Sequence, residues 1–236
     1  MQLFIQTQLR LEDTSVIFNK EESRHIVKVL RKKEGDILHV TNGLGLIFNC
    51  ELTHVLDKEC TAKVLNIKKE KARDYYLHLA VAPTKNNDRF EWFLEKATEI
   101  GIDEITPILC ERSERKKIRL DRYSKIIEGA LKQSLQSYLP KLNPLTSLDD
   151  LFSFSTNYDA IFIAHCESDA LKVNLKDKLQ PNKHYLILIG PEGDFSPSEI
   201  KRARLYKYEE VSLGHTRLRT ETAAIIACHS VAFINE

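Results

Sequence analysis

The apolar and polar positions of the first ~70 residues predict a mostly β region with one helix. Asn19 to Leu30 reads as that helix, and Asp36 to Val40 as the strand after it. Asn42-Gly43 is the dipeptide favoured by a tight type I′ hairpin turn, and Leu46 to Leu56 and Cys60 to Ile67 supply two further strands rich in β-forming residues. The polar, basic run from Lys68 to Asp74 breaks the pattern and reads as a linker, separating a domain at residues 1–70 from one at 75–236.

From Tyr75 onward strands and helices alternate, which argues for a layered α/β domain with a largely parallel sheet. Tyr75 to Ala82 is a strand, Asn87 to Ile100 a helix with Phe90, Phe93, Leu94, Ala97 and Ile100 on one face, and Gly101 its stop. Glu104 to Leu109 is the next strand, and Asp121 to Tyr138 a long helix stopped by Pro140. Ala160 to Ala164 and Tyr185 to Ile189 are continuous apolar runs of the kind covered on both faces, and Glu210 to Leu213 is a further strand. Ser196-Pro197-Ser198-Glu199 carries a capping hydroxyl, a proline at the first helical position and a glutamate three residues after the cap. The last helix runs from about Thr222 to Ile234.

Composition narrows the class. Hydrophobic residues make up 42% and charged residues 29% of 236, which suits a globular protein. No apolar run approaches the roughly 18 residues that span a bilayer, and the start, Met1 to Ile5, lacks the pattern of a secretion signal. We therefore expect a cytoplasmic protein. The five cysteines are scattered singly, which fits neither a disulfide framework nor a metal site. Net charge is only +1, but Arg24, Lys28, Arg31, Lys32 and Lys33 form one basic cluster and Arg112, Arg115, Lys116, Lys117 and Arg119 another. Either could neutralise phosphates or simply be solvated.

Two segments carry candidate chemistry. The strand ending at Ile189 runs directly into Gly190-Pro191-Glu192-Gly193-Asp194-Phe195, a glycine-containing loop at the position where open α/β sheets bind ligands. It is neither a dinucleotide fingerprint nor a P-loop. The second, Leu213-Gly214-His215-Thr216-Arg217-Leu218-Arg219-Thr220-Glu221-Thr222-Ala223, again joins a strand to a helix. Thr220 or Thr222 could cap that helix and Glu221 complement its dipole, but capping leaves Arg217 and Arg219 unexplained unless something anionic lies nearby.

Together, Gly190-Pro191-Glu192-Gly193 and Leu218-Arg219-Thr220-Glu221-Thr222-Ala223 resemble the two C-terminal signatures of the 16S ribosomal RNA (uracil-N3)-methyltransferase family, in the SPOUT class of knotted methyltransferases. Arg24-His25-Ile26 with Val29-Leu30-Arg31, Lys85, Arg89, Lys96 to Glu99, Gly101, Glu111-Arg112-Ser113, Gln133-Ser134 and Pro140 extend the likeness over nearly the whole chain. The chain departs from the family pattern at Thr216-Arg217 and Leu135-Gln136.

The resemblance implies a C-terminal trefoil-knotted SPOUT-type α/β domain preceded by a small PUA-like β-barrel that binds RNA. It implies S-adenosyl-L-methionine as cofactor, a homodimer, a role in rRNA processing and ribosome biogenesis, and 16S rRNA or the small ribosomal subunit as substrate. The cofactor pocket would comprise His165, Cys166 and Glu167; Ile189, Gly190, Pro191, Glu192 and Gly193; Leu213, Gly214 and Leu218; and Thr220, Glu221, Thr222 and Ala223. Arg24, His25, Lys28, Arg31, Lys85 and Arg89 would bind RNA. Methylating N3 of uracil requires loss of the imide proton, so Arg219 or Arg112 would stabilise the anion and Glu221, with Glu192 as the other candidate, would accept the proton. No metal is expected. Ribose 2′-O-methylation and a catalytically silent RNA-binding factor are the competing readings.

Overall fold

The computed structural model describes residues 2–154, 157–167 and 172–236. The chain forms two compact units: Met1–Ala72 with Leu131–Leu139, and Arg73–Ala130 with Pro140–Glu236.

In the first unit, β1 (Leu3–Ile5), β2 (Ser15–Phe18), β3 (Ile37–Thr41), β4 (Leu46–Val55) and β5 (Cys60–Lys69) form one sheet in the order β1-β3-β4-β5-β2. β1 pairs parallel with β3, and the other pairs are antiparallel. Inward-facing Phe4, Val16, Phe18, Leu38, Val40, Phe48 and Leu52 build its core together with Ile26 from the helix. The two edge strands escaped the sequence reading because three and four residues are too few to show a period. The helix after β2 begins as α1 (Lys20–Arg24), where the Asn19 side chain accepts from Glu22 N, and widens to a π turn over His25–Val29. Arg31, at φ 53°, then turns the chain out of the helix.

The Asn42-Gly43 turn is not the two-residue type I′ hairpin. Asn42 stays outside the left-handed region that this turn requires, whereas Gly43 (φ 74°) and Gly45 (φ 86°) occupy it. The physical reason is the Asn42 side chain, whose Oδ1 accepts from Leu44 N (2.9 Å) and Leu46 N (3.3 Å) and so shapes a four-residue loop.

The second unit carries β6 (Tyr76–Val81), β7 (Glu104–Leu109), β8 (Lys141–Leu142), β9 (Thr146–Ser147), β10 (Ala160–Ala164), β11 (Val173–Asn174), β12 (His184–Ile189) and β13 (Glu209–Ser212). They form one sheet in the order β11-β13-β10-β12-β6-β7-β8, with β9 beside β7, and every pairing is parallel. Its helices are α2 (Asn87–Ile100), α3 (Leu120–Ser134), α4 (Leu148–Phe154), α5 (Pro197–Leu205) and α6 (Thr220–Phe233). Ala80, Ile108, Ile163, Leu186 and Leu188 meet Leu151, Phe152, Ile200 and Ala203 of α4 and α5 in one core. The alternate positions Leu79, Val81 and Ile187 are equally buried, and α6 packs on β6, β12 and α2. Burial on both faces explains the unbroken apolar runs of β10 and β12.

Helix ends follow local chemistry. Asn86 caps α2 and Gly101, at φ 110°, closes it, while α5 has the reciprocal Ser196–Glu199 capping box. α3 stops at Ser134 rather than Tyr138, because Leu135 adopts φ 58° and ends the helical path. At the start of α6 the cap position belongs to Arg219, which makes no side-chain capping bond.

Candidate functional site

The C-terminal ends of β10, β12 and β13 converge, as they must in a parallel sheet, and the loops leaving them enclose a cleft of about 840 Å³. One wall is Ala164 to Glu167 with Lys172, the second Ile189 to Phe195, and the third Val211 to Thr220 with Ala223; Arg112 reaches in from the loop after β7. Ile189, Pro191, Val211, Leu213 and Leu218 give the surface apolar patches, and polar side chains and the loop backbones make up the rest.

The glycine loop is tightly packed. A Cβ on Gly190 would lie 3.0 Å from the buried Phe195 ring, which explains why no side chain stands there. Gly214 adopts φ 137°, which side chains disfavour. Thr220, expected as a helix cap, instead donates from its hydroxyl to Gly190 O at 3.0 Å and ties the start of α6 to the loop after β12.

Of the residues expected to hold the cofactor, His165, Cys166, Glu167, Ile189, Gly190, Pro191, Glu192, Gly193, Leu213, Gly214, Leu218, Thr220 and Ala223 line the cleft. Glu221 and Thr222 lie outside the lining, because the first turn of α6 directs them elsewhere. Glu221 is buried, with Oε1 3.7 Å from Arg89 Nε and Oε2 without a hydrogen-bond partner.

Three arginines line the cleft, Arg112, Arg217 and Arg219, and Arg217 is exposed like Arg219. Arg112 Nη1 donates to Gly193 O (3.0 Å) and Phe195 O (3.3 Å), which ties one side of its guanidinium to the glycine loop. Arg219 is exposed on the cleft wall with no capping bond. Glu192 is an exposed carboxylate on the opposite wall, and its Oε1 accepts from Lys85 N at 2.9 Å.

His165 has a fully buried side chain whose Nε2 lies 2.9 Å from Glu210 Oε2 and whose Nδ1 accepts from Glu167 N at 3.3 Å. Burial, helped by the charge of Lys172, lowers its pKa against the opposing pull of Glu210. Lys172 Nζ donates to His165 O (2.7 Å) and Glu167 O (2.5 Å), and Asp194 Oδ2 accepts from Cys166 N (2.8 Å). Sequence reasoning missed Lys172 and Asp194, since only the folded loops bring them to this wall.

The residues expected to contact RNA divide between the two units. In the first unit, Arg24 and Arg31 are exposed, and Lys28 pairs with Asp57 at 2.7 Å. His25 Nε2 accepts from Gln2 Nε2 at 3.0 Å, and its ring lies edge-on to Phe4. In the second unit, Lys85 pairs with Glu114 at 2.7 Å and Arg89 with Glu221. Among the described residues no cluster of His, Cys, Asp and Glu could hold a metal ion, and no helix is long and apolar enough to cross a membrane.

Comparison with known proteins fits this geometry. Residues 71–232 match the family model described as an RNA methyltransferase domain, and residues 18–71 that of an RNA methyltransferase PUA domain. The chain is 27% identical over 228 residues, 92% of its length and 89% of the relative's, to ribosomal RNA small subunit methyltransferase E of Bacillus subtilis (strain 168). The crystal structure of a probable rRNA-methyltransferase from Porphyromonas gingivalis superposes with a TM-score of 0.91 at 34% identity, covering 100% of this chain and 98% of that one. A putative methyltransferase of Legionella pneumophila, solved with its bound cofactor S-adenosylmethionine, gives a TM-score of 0.87 at 26% identity, covering 99% and 97%. With a cleft where parallel-sheet proteins bind ligands and a family match over most of its length, the chain belongs to the RNA methyltransferase family, its methyltransferase domain preceded by a PUA domain.

Proposed function

We propose that this chain transfers the methyl group of S-adenosylmethionine to N3 of a uridine in 16S ribosomal RNA. The observation that carries the reading is the cleft itself, whose walls join apolar patches to polar groups and loop backbone as a nucleoside requires and whose rim bears the exposed Arg219. Its size falls in the range of roughly 300–1,000 Å³ usual for small-molecule sites. The small-subunit rRNA substrate is suggested by the name of the Bacillus subtilis relative, and the N3 position by the two signature loops.

The cofactor, when bound, supplies an electrophilic methyl carbon on a sulfonium. Ile189, Leu213 and Leu218 would hold its adenosine, and the 165–167 and 190–195 loops would orient the remainder. Attack by N3 forms the N–CH₃ bond as the C–S bond breaks, and the imide proton leaves to a carboxylate. Glu192 takes that role better than Glu221, since it faces the cleft whereas Glu221 is buried against Arg89. Arg219 would face the uracil oxygens and stabilise the developing anion. Arg112 acts one step back, by fixing the carbonyls of the glycine loop. The target base must be unpaired for N3 to be reached.

The basic residues Arg24, Lys28 and Arg31 of the first unit would position the RNA through phosphates, with Lys85 and Arg89 serving nearer the base. α6 supports a homodimer: Ile225 and Ile226 are only half-buried and Phe233 is 65% exposed. The trefoil knot and cytoplasmic location belong to the same reading. Titration of S-adenosylmethionine into the purified protein tests the cofactor assignment: it should bind saturably at one site per chain. Arg219→Ala should keep that affinity and lose methyl transfer by 10²-fold or more, on the order of one lost oxyanion donor. Absence of binding would refute the assignment.

A further inference from the structure

Asp194 stands at a backbone conformation that works against it. Its φ of 63° lies in the left-handed region, where glycine is at ease and other residues carry strain, Asn and Asp less than most. An aspartate kept there needs a local reason, and its carboxylate supplies one. Oδ2 accepts from Cys166 N at 2.8 Å and Oδ1 accepts from Phe195 N at 2.8 Å. One side chain therefore links the loop after β12 to the loop after β10, which are two opposing walls of the cleft.

The 165–167 segment is gripped from its other side as well. Lys172 Nζ donates to the carbonyls of His165 and Glu167, and His165 Nε2 is held to Glu210. A cation thus takes the carbonyls and an anion takes the Cys166 amide, so that three consecutive residues are fixed by charged hydrogen bonds rather than by a regular element. Cys166 and Glu167 are themselves exposed and have no buried side chain to anchor them.

We propose that Asp194 is a positioning residue for the cofactor: its carboxylate sets the spacing between the 165–167 and 190–195 walls, and it accepts local backbone strain to do so. The inference rests on the reading of this cleft as the S-adenosylmethionine site. It separates KM from kcat, because a lost wall spacing weakens cofactor binding yet leaves turnover at saturating cofactor, whereas a purely structural role lowers the active fraction and turnover with it.

The experiment compares wild type, Asp194→Gly and Asp194→Asn for S-adenosylmethionine affinity by calorimetry and for thermal unfolding. Asp194→Gly gives up two charge-assisted hydrogen bonds against a small relief of backbone strain, so it should melt below wild type, and it should bind roughly 10- to 100-fold more weakly, the range for hydrogen bonds to a charged group. Asp194→Asn tolerates the conformation and keeps one acceptor, so it should fall between the two. At saturating cofactor both variants should regain a turnover close to wild type, placing the defect in KM. Equal affinity in wild type and Asp194→Gly overturns the proposal, and so does a turnover that stays well below wild type at saturating cofactor. If wild type itself binds no S-adenosylmethionine, the cofactor reading falls first, and the clamp with it.

Discussion

His78 gives the second unit a calculable sensitivity to acid. It sits on β6, 4% exposed, with Nδ1 2.7 Å from Tyr158 Oη and Nε2 2.6 Å from Thr106 Oγ1. Burial lowers its pKa to about 4, with Glu104 pulling upward and Lys141 adding to the depression. In the unfolded chain the ring titrates near 6.5. Between these values the unfolded state binds the extra proton, so stability is full above pH ~6.5 and falls as pH drops toward 4. Linkage with these two values gives a loss of about 2 kcal/mol between pH ~7.5 and pH ~5. Burial alone would push the neighbouring Glu104 up, but the His78 ring and the hydrogen bonds from Lys141, Tyr76 and Asn143 outweigh it and bring the carboxyl down to about 2. Its contribution is therefore lost only below pH ~4.5, outside this window. Urea unfolding can be followed by the fluorescence of Trp92, the single tryptophan, which lies in α2 of the same unit. His78→Gln should shrink the stability difference between the two pH values by about 2 kcal/mol, while the smaller effect of His165, also lowered, persists in both proteins. A variant that loses as much stability as wild type on acidification would refute the reasoning.

Three further substitutions test the site. Thr220→Val keeps the shape but removes the donor to the buried Gly190 carbonyl, and should cost about 1–3 kcal/mol in denaturant unfolding. Glu192→Gln should lower the rate at saturating substrates by roughly 10²-fold or more, the contribution of a positioned proton acceptor, while Glu221→Gln should act mainly on stability. Steady-state kinetics on both would reverse the assignment if Glu221→Gln alone abolished turnover.

The elements most legible in the sequence were those whose signal is local and long. β10 is apolar throughout and β12 from Tyr185 onward, α2 shows one apolar face between Asn86 and Gly101, and α5 carries its capping box. The cleft walls were legible for the same reason, since each is a contiguous loop leaving a parallel strand. Three things were not. β8, β9 and β11 are two residues long and have no periodicity to read. The return of Leu131–Leu139 to the first unit depends on packing of Leu131 and Leu139 with Leu3 and Ile5, far apart in sequence. Pairings decide the roles of side chains, and spacing does not reveal them: that Arg112 serves the carbonyls of Gly193 and Phe195, or that Glu221 turns to Arg89, follows only from the fold.

The measurement that bears most directly on the central claim is methyl transfer from radiolabelled S-adenosylmethionine to small ribosomal subunits lacking the modification, followed by nucleoside analysis. The account predicts label recovered as 3-methyluridine from 16S rRNA, and its loss with Arg219→Ala. Label on another nucleoside, or on a ribose 2′-hydroxyl, would contradict it.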